Sequence, residues 1–292
     1  ICFFTFTELI LMKMKSILTI YLLLSLLMIS CNNKSSEIPE ISKGKIDLLF
    51  VEAAVNHSLS VTTFGMVYGW GSNRFGQLGK ATEATRILPK RVDDLKNCVA
   101  VAAGDKHSVA LTNDGQVYTW GDNASGQLGC LQKGGGVQRV EAMWKCQPRK
   151  VAIAIAASDH STLVLCCPSG AGLRVNSVYA WGHGNHLPSK VNFDTKQRGS
   201  SNYRQNVNPI AITSAKFHSA VVTDDGCVYC WGLHAESLGM PKNQSHSSPQ
   251  LVTGMLPQNG GGIAVAVSAS EHHTAVVTDE GHLFTWGAHT QQ

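Results

Sequence analysis

Five histidines stand beside a hydroxyl residue in a recurring word: His57-Ser58, His107-Ser108, His160-Ser161, His218-Ser219 and His273-Thr274. Imidazole next to a hydroxyl is the pairing that activates a serine nucleophile, and imidazole is also a common zinc ligand. Either chemistry needs side chains that converge on one point. A residue that appears once per repeat is instead spread through the fold. Each repeat histidine is therefore expected to pack between neighbouring units, with a ring nitrogen bonded to backbone.

Other candidates are sparser. Cys227-Val228-Tyr229-Cys230 has the spacing of metal and redox sites, but it lies in a strand-like run, where positions i and i+3 point to opposite faces. His183-Gly184-Asn185-His186 and His272-His273 have no carboxylate or thiol at a supporting spacing. The nine cysteines are irregularly placed and include the adjacent pair Cys166-Cys167, which suits buried free thiols better than a disulfide framework. The chain has no phosphate-binding loop with Gly-Lys-Ser/Thr and no Gly-x-Ser-x-Gly elbow. No enzyme activity, metal or cofactor is expected.

The elements that hold these residues are repeats. The word Trp-Gly recurs at Trp70, Trp120, Trp181, Trp231 and Trp286, at intervals of 50, 61, 50 and 55 residues. The distance from histidine to tryptophan is 13 residues in four copies and 21 in the third, which implies an eight-residue insertion around 168–176. In the second copy an apolar run from Val99 predicts a strand, and His107–Thr112 alternates as a second. Asn113-Asp114-Gly115 then makes a hairpin turn into a third strand, Gln116–Trp120. A glycine-rich loop follows, with Gly126-Gln127-Leu128-Gly129 matched by Gly76-Gln77-Leu78-Gly79 in the first copy. A Pro-x-x-Val word at Pro89, Pro148, Pro188 and Pro249 reads as the start of a fourth strand. Four short strands in about 50 residues make one propeller blade.

These words at fixed offsets resemble the regulator of chromosome condensation repeat family across residues 51–292. The resemblance implies an all-β fold, a β-propeller of four-stranded blades. About five repeats are present, and since the family usually closes seven blades, the chain is expected to be a truncated seven-bladed ring. The copies depart from the pattern where the glycine three residues before the histidine becomes Ala54, Ala157, Ala215 or Ser270, and where the third copy lacks the Gly-Gln-Leu-Gly loop. The family's founder is a guanine-nucleotide exchange factor for a small GTPase. That activity and chromatin binding are the alternatives to the leading expectation, a non-enzymatic protein–protein interaction scaffold. The net charge of +4 includes five lysines and three acidic residues in 1–45. Residues 46–292 keep 19 cationic and 17 anionic side chains, too balanced a set to predict nucleic-acid binding.

Ahead of the repeats, Met12 with Lys13 and Lys15 precedes an apolar stretch, 16–29, that is short for a membrane span. Residues 1–31 read as a targeting segment, either a secretory signal or a lipoprotein signal with Cys31 as its acylated residue, and 32–45 as a polar linker. The propeller then occupies 46–292. Export to the cell envelope is expected, with membrane contact only through this segment; the alternative is a cytoplasmic protein, since seven cysteines follow Cys31. Where the loops depart from the repeat, Arg139, Trp144, Lys145, Arg149, Lys196, Arg198, Tyr203 and Arg204 combine arginine with aromatics. That composition suits a partner-binding edge for another protein, a small GTPase among the alternatives.

Overall fold

The computed structural model describes residues 48–80, 83–132, 135–144, 150–168, 175–194, 207–240, 245–256, 260 and 262–288. The segment 1–31, Cys31 and the linker 32–45 lie outside the described residues. Residues 47–292 form one compact unit.

Every described strand falls in one of five antiparallel sheets. Blade 1 holds β1 (Leu48–Ala53), β2 (His57–Thr62), β3 (Val67–Ser72) and β4 (Thr85–Arg91). Blade 2 holds β5 (Cys98–Ala103), β6 (His107–Thr112), β7 (Val117–Gly121) and β8 (Gly135–Arg139), and the short helix α1 (Glu141–Trp144) follows it. Blade 3 holds β9 (Lys150–Ala157), β10 (Ser161–Pro168), β11 (Ser177–Gly182) and β12 (Asn185–Lys190). Blade 4 holds β13 (Pro209–Ser214), β14 (His218–Thr223), β15 (Val228–Gly232) and β16 (His246–Leu251). Blade 5 shows β17 (Ala264–Ala269), β18 (His273–Thr278) and β19 (Leu283–Gly287). In each sheet the strands run in chain order, and the first strands of successive blades touch one another: β1 meets β5, β5 meets β9, β9 meets β13, and β13 meets β17. This is the all-β propeller arrangement.

The core lies between blades. Alternation along β6 sends Val109 and Leu111 toward Ala152, Val164 and Trp181 of blade 3, while Ala110 and Trp120 pack on Leu59, Val61 and Val67 of blade 1. The period-2 pattern thus buries both faces of a blade. Trp120 and Trp181 are sealed, at 0% and 1% exposure.

The glycine of each Trp-Gly word has a backbone reason. Gly71, Gly121 and Gly182 sit at φ of +102°, +103° and +101°. A Cβ there would run into the carbonyl oxygen of Asn56, Lys106 or His160 in the turn before the second strand. Only glycine tolerates both constraints.

Two expectations are corrected. The Pro-x-x-Val word closes the fourth strand instead of starting it: Pro89, Pro188 and Pro249 lie inside β4, β12 and β16. These are outer-edge strands, where a missing N–H is tolerated. The valine after them, at Val92, Val191 and Val252, donates its N–H back to the start of the third strand at 2.8–2.9 Å, as Val140 does in blade 2. Blade 2 therefore uses Val140, and Val151 belongs to β9.

The second correction concerns the third copy. Ser161, not His160, pairs with Gly182, as His107 pairs with Gly121 and His218 with Gly232. His160 thus sits where Lys106 and Phe217 sit, one residue before the strand. Ser158 takes the place of Gly104, and the insertion is seven residues long, not eight.

Candidate partner-binding face

Three of the repeat histidines, His57, His107 and His218, are sealed at the seams between blades. His57 Nε2 lies 2.9 Å from Ser108 Oγ, His107 Nε2 lies 2.9 Å from Thr162 Oγ1, and His218 Nε2 lies 2.7 Å from Thr274 Oγ1. The partner is a hydroxyl on the next blade, not the backbone group expected. Each hydroxyl donates onward to a backbone carbonyl: Ser108 to Gln77, Thr162 to Gln127, Thr274 to Ser237. A hydroxyl has one proton, so its contact with histidine must be an accepted bond. Nε2 therefore carries the imidazole proton. The Nδ1 atoms of His57, His107 and His218 are buried without a partner.

The same carbonyls take a second bond from the indole of the next blade. Trp120 Nε1 donates to Gln77 at 2.8 Å, Trp181 to Gln127 at 2.8 Å, and Trp286 to Ser237 at 3.0 Å. The Gly-Gln-Leu-Gly loop is thus a bracket. It leaves its own blade and caps the hydroxyl and indole of the following one.

This environment suits a hinge pin better than a base. Burial pulls the His57 imidazole down to about 4, with Asp105 opposing the shift, and His218 likewise to about 4. Burial, with His57 and His160 nearby, takes His107 down to about 3. All three stay neutral and out of contact with solvent. His273 is exposed on the last described blade. Among the described residues no three His, Cys, Asp or Glu side chains gather as a metal set, and Cys227 and Cys230 are buried thiols outside any disulfide.

Solvent-facing chemistry collects elsewhere, at the turns joining the first and second strands. These turns share one face with the loops joining third and fourth strands, because neighbouring strands are antiparallel. The central turn residue is Val55, Asp105, Asp159, Lys216 or Glu271 in blades 1 to 5. Asn56 Nδ2 donates to Asp105 Oδ1 at 3.0 Å, and Lys216 Nζ pairs with Glu271 at 2.8 Å. Asp159 is held above the usual carboxylate range, first by burial and then by the Asp105 charge, with Lys216 and His160 opposing. Glu271 is lowered by its bond to Lys216. Around these charges stand aromatic pairs. Lys106 lies 4.8 Å from the Phe75 ring centre, and Phe217 lies 4.2 Å from His234 and 5.8 Å from His272. A cavity of about 310 Å³ opens there, lined by Asn56, Arg74, Phe75, Gln77, Asp105 and Lys106. Mixed charge beside planar rings offers pairing and stacking to a partner surface.

Of the partner-binding residues expected from sequence, Arg139 is described. It ends β8 on the opposite face, bonded to Glu141 at 2.6 Å and to Gln116 at 3.3 Å. Trp144 closes α1. Lys145, Arg149, Lys196, Arg198, Tyr203 and Arg204 lie outside the described residues. The turn residues of the charged face were missed. Their signal is the column just before the histidine word, where Asp105, Asp159, Lys216 and Glu271 follow an apolar first strand.

Residues 65–111 and 114–165 match the regulator of chromosome condensation (RCC1) repeat, and a second form of that repeat matches 98–127 and 211–236. The chain is 34% identical over 244 residues to the probable E3 ubiquitin-protein ligase HERC4 of Mus musculus, covering 82% of this chain and 22% of that protein. The chain thus spans less than a quarter of the length of the ubiquitin-ligase relatives it matches, 4% and 22%. Human WBSCR16 superposes with a TM-score of 0.67 at 22% identity, over 86% of this chain and 64% of that one. Prp20p of Saccharomyces cerevisiae gives 0.61 at 20% identity, over 86% and 57%. With its histidine, Trp-Gly and Gly-Gln-Leu-Gly words joined into one seam, the chain belongs to the regulator of chromosome condensation repeat family and folds as its β-propeller.

Proposed function

We propose that this propeller is a non-enzymatic docking module for another protein. It engages the partner through the face that carries Asp105, Asp159, Lys216 and Glu271. The observation that supports this most is the division of labour among its polar groups. His57, His107 and His218 lock blades together in neutral form, whereas Asp105, Asp159, Lys216 and Glu271 set charge at the same turn position, on one face, in four of the five described blades. Loops on a rigid scaffold are where recognition resides. Protein ligands are also the subject of the Prp20p structure, which concerns binding to Gsp1p and histones.

The test is capture of partners from host extract by the full chain and by two charge-reversed forms. Asp105→Lys with Glu271→Lys changes the mouth; Arg139→Glu with Arg149→Glu, Arg198→Glu and Arg204→Glu changes the cations of the opposite loops. Loss of the captured proteins with the first form, at an unchanged melting curve, is the expected result. Loss with the second form alone places docking on the arginine-bearing loops. Equal capture by both rules out charge-guided docking on either face.

A further inference from the structure

Three of the four described seams are closed by a carbonyl from the preceding blade, and the seam between blades 3 and 4 is not. In blade 3 the turn between β11 and β12 is only His183-Gly184, with His183 at φ +49°, and it packs back on Ser125 of blade 2. Neither residue of this turn is bonded to the Trp231 indole as Gln77, Gln127 and Ser237 are bonded to the indoles of the blades that follow them. The consequences appear at two places that the loop covers elsewhere.

The first is the donor pair. Trp231 stays partly exposed where Trp120 and Trp181 are sealed, and its Nε1 meets no acceptor among the described residues. Ser219, in the place of Ser108, meets no backbone carbonyl of the preceding blade among the described residues. It lies 3.2 Å from Ser214 Oγ, which lies 3.3 Å from Ser161 Oγ. This chain of hydroxyls fills the space of the absent imidazole but leaves the indole uncapped. The second is the leucine socket. Leu78 and Leu128 are 0% exposed, and Leu78 packs where any Cβ at Gly69 would stand. At that position of the third strand, Gly69, Thr119 and Cys230 are buried, whereas Ala180 is not. Leu233, 67% exposed, flanks Trp231.

The geometry points to this seam as a docking notch for a segment of another protein that presents a backbone carbonyl followed by a leucine-class side chain, flanked by glycine. We infer that occupant from the other three seams: Gln77-Leu78, Gln127-Leu128 and Ser237-Leu238 each set a carbonyl on the next blade's indole and a leucine at 0% exposure on their own blade. The notch opens on the same face as the charged turns. His160 and His183, edge to face at 6.1 Å, and Asp159 stand on that face of blade 3. The inference rests on the docking role proposed above and specifies the partner segment.

The probe is a head-to-tail cyclised peptide containing Ala-Ser-Gly-Gln-Leu-Gly, the sequence of residues 124–129. It is titrated into the full chain carrying ¹⁵N-labelled tryptophan, to about 1 mM, the range of a weak single-motif contact. The expected result is a saturable shift of the Trp231 indole resonance, with those of Trp120 and Trp181 unmoved. Replacing the leucine of the peptide with aspartate should weaken binding by about tenfold or more, the worth of a buried leucine. Trp231→Phe keeps an aromatic ring at the seam, removes the N–H, and should weaken binding of a fluorescent form of the peptide with little change in melting temperature. An unmoved Trp231 resonance, equal binding of the aspartate peptide, or undiminished binding to Trp231→Phe would each overturn the notch. A Trp231 indole proton already slow to exchange in the free protein would show that the chain fills the seat itself, and would also overturn it. Failure here together with loss of capture by the mouth variant would leave the docking role standing and remove only the notch.

Discussion

His57 Nε2 and Ser108 Oγ, 51 residues apart in the chain, meet at 2.9 Å across the seam between blades 1 and 2. The hydroxyl has already given its proton to Gln77, so it can only accept from His57. One local word therefore bonds blade 1 to 2, blade 2 to 3 and blade 4 to 5.

Ser108→Ala removes the acceptor and leaves the His57 N–H buried without a partner. An unpaired buried donor costs about 1–3 kcal/mol, and the carbonyl of Gln77 also loses one of its two bonds. Urea unfolding of Ser108→Ala, His57→Gln and the double variant gives the coupling between the two. Additive losses would mean that the bond contributes nothing of its own.

Stability should fall in mild acid. His57, His107 and His218 are held at about 4, about 3 and about 4, whereas the unfolded chain titrates near 6.5. The unfolded state therefore takes up protons first as pH drops. The folded protein keeps its full stability above about pH 6.5 and loses it progressively toward pH 4, with a slope approaching about 1.4 kcal/mol per pH unit for each histidine. The comparison is the melting temperature of wild type and His218→Gln from pH 7 to 4.5. The variant should be less stable at pH 7 but less sensitive to acid, and parallel curves would remove His218 from the titration.

The tryptophans should not be equivalent. Trp120 is fully buried and its N–H is bonded, so Trp120→Ala should cost about 3–5 kcal/mol, as buried aromatics do. Trp231, expected from its identical repeat position to be just as buried, is partly exposed, and the two-residue turn His183-Gly184 of blade 3 stands where the other blades have a longer loop. Trp231→Ala should cost clearly less in the same urea melts. Equal losses would show that the seam is closed in solution.

If Met12–Ser30 is a removable leader, the mature chain starts at or near Cys31 and fractionates with the cell envelope. Intact-mass measurement on protein from its native host decides this. A chain that retains 12–30 in the cytosol reverses the expectation.

What can be read from the chain without its fold is whatever a blade dictates locally. The second strand, His107–Thr112, is legible from alternation to its last residue. The Trp-Gly words mark the third strands, because a positive φ and a close carbonyl admit only glycine there. The five described blades and the burial of His57, His107 and His218 follow from the same words, whereas His160 and His273 depart from that expectation. Spelling misled in the third copy. His160-Ser161 reads as the word, but the pairing of Ser161 with Gly182 puts the serine in the histidine's seat, and only strand pairing fixes register across an insertion. Nor could one sequence position announce that Gln77 would cap Trp120, or that Asp105, Asp159, Lys216 and Glu271 would share one face. Those residues are about 50 positions apart, and no local propensity carries the direction in which a turn faces. The closing of blade against blade gathers them, because two-sided burial of each sheet forces its neighbours into contact and brings every first turn to the same end.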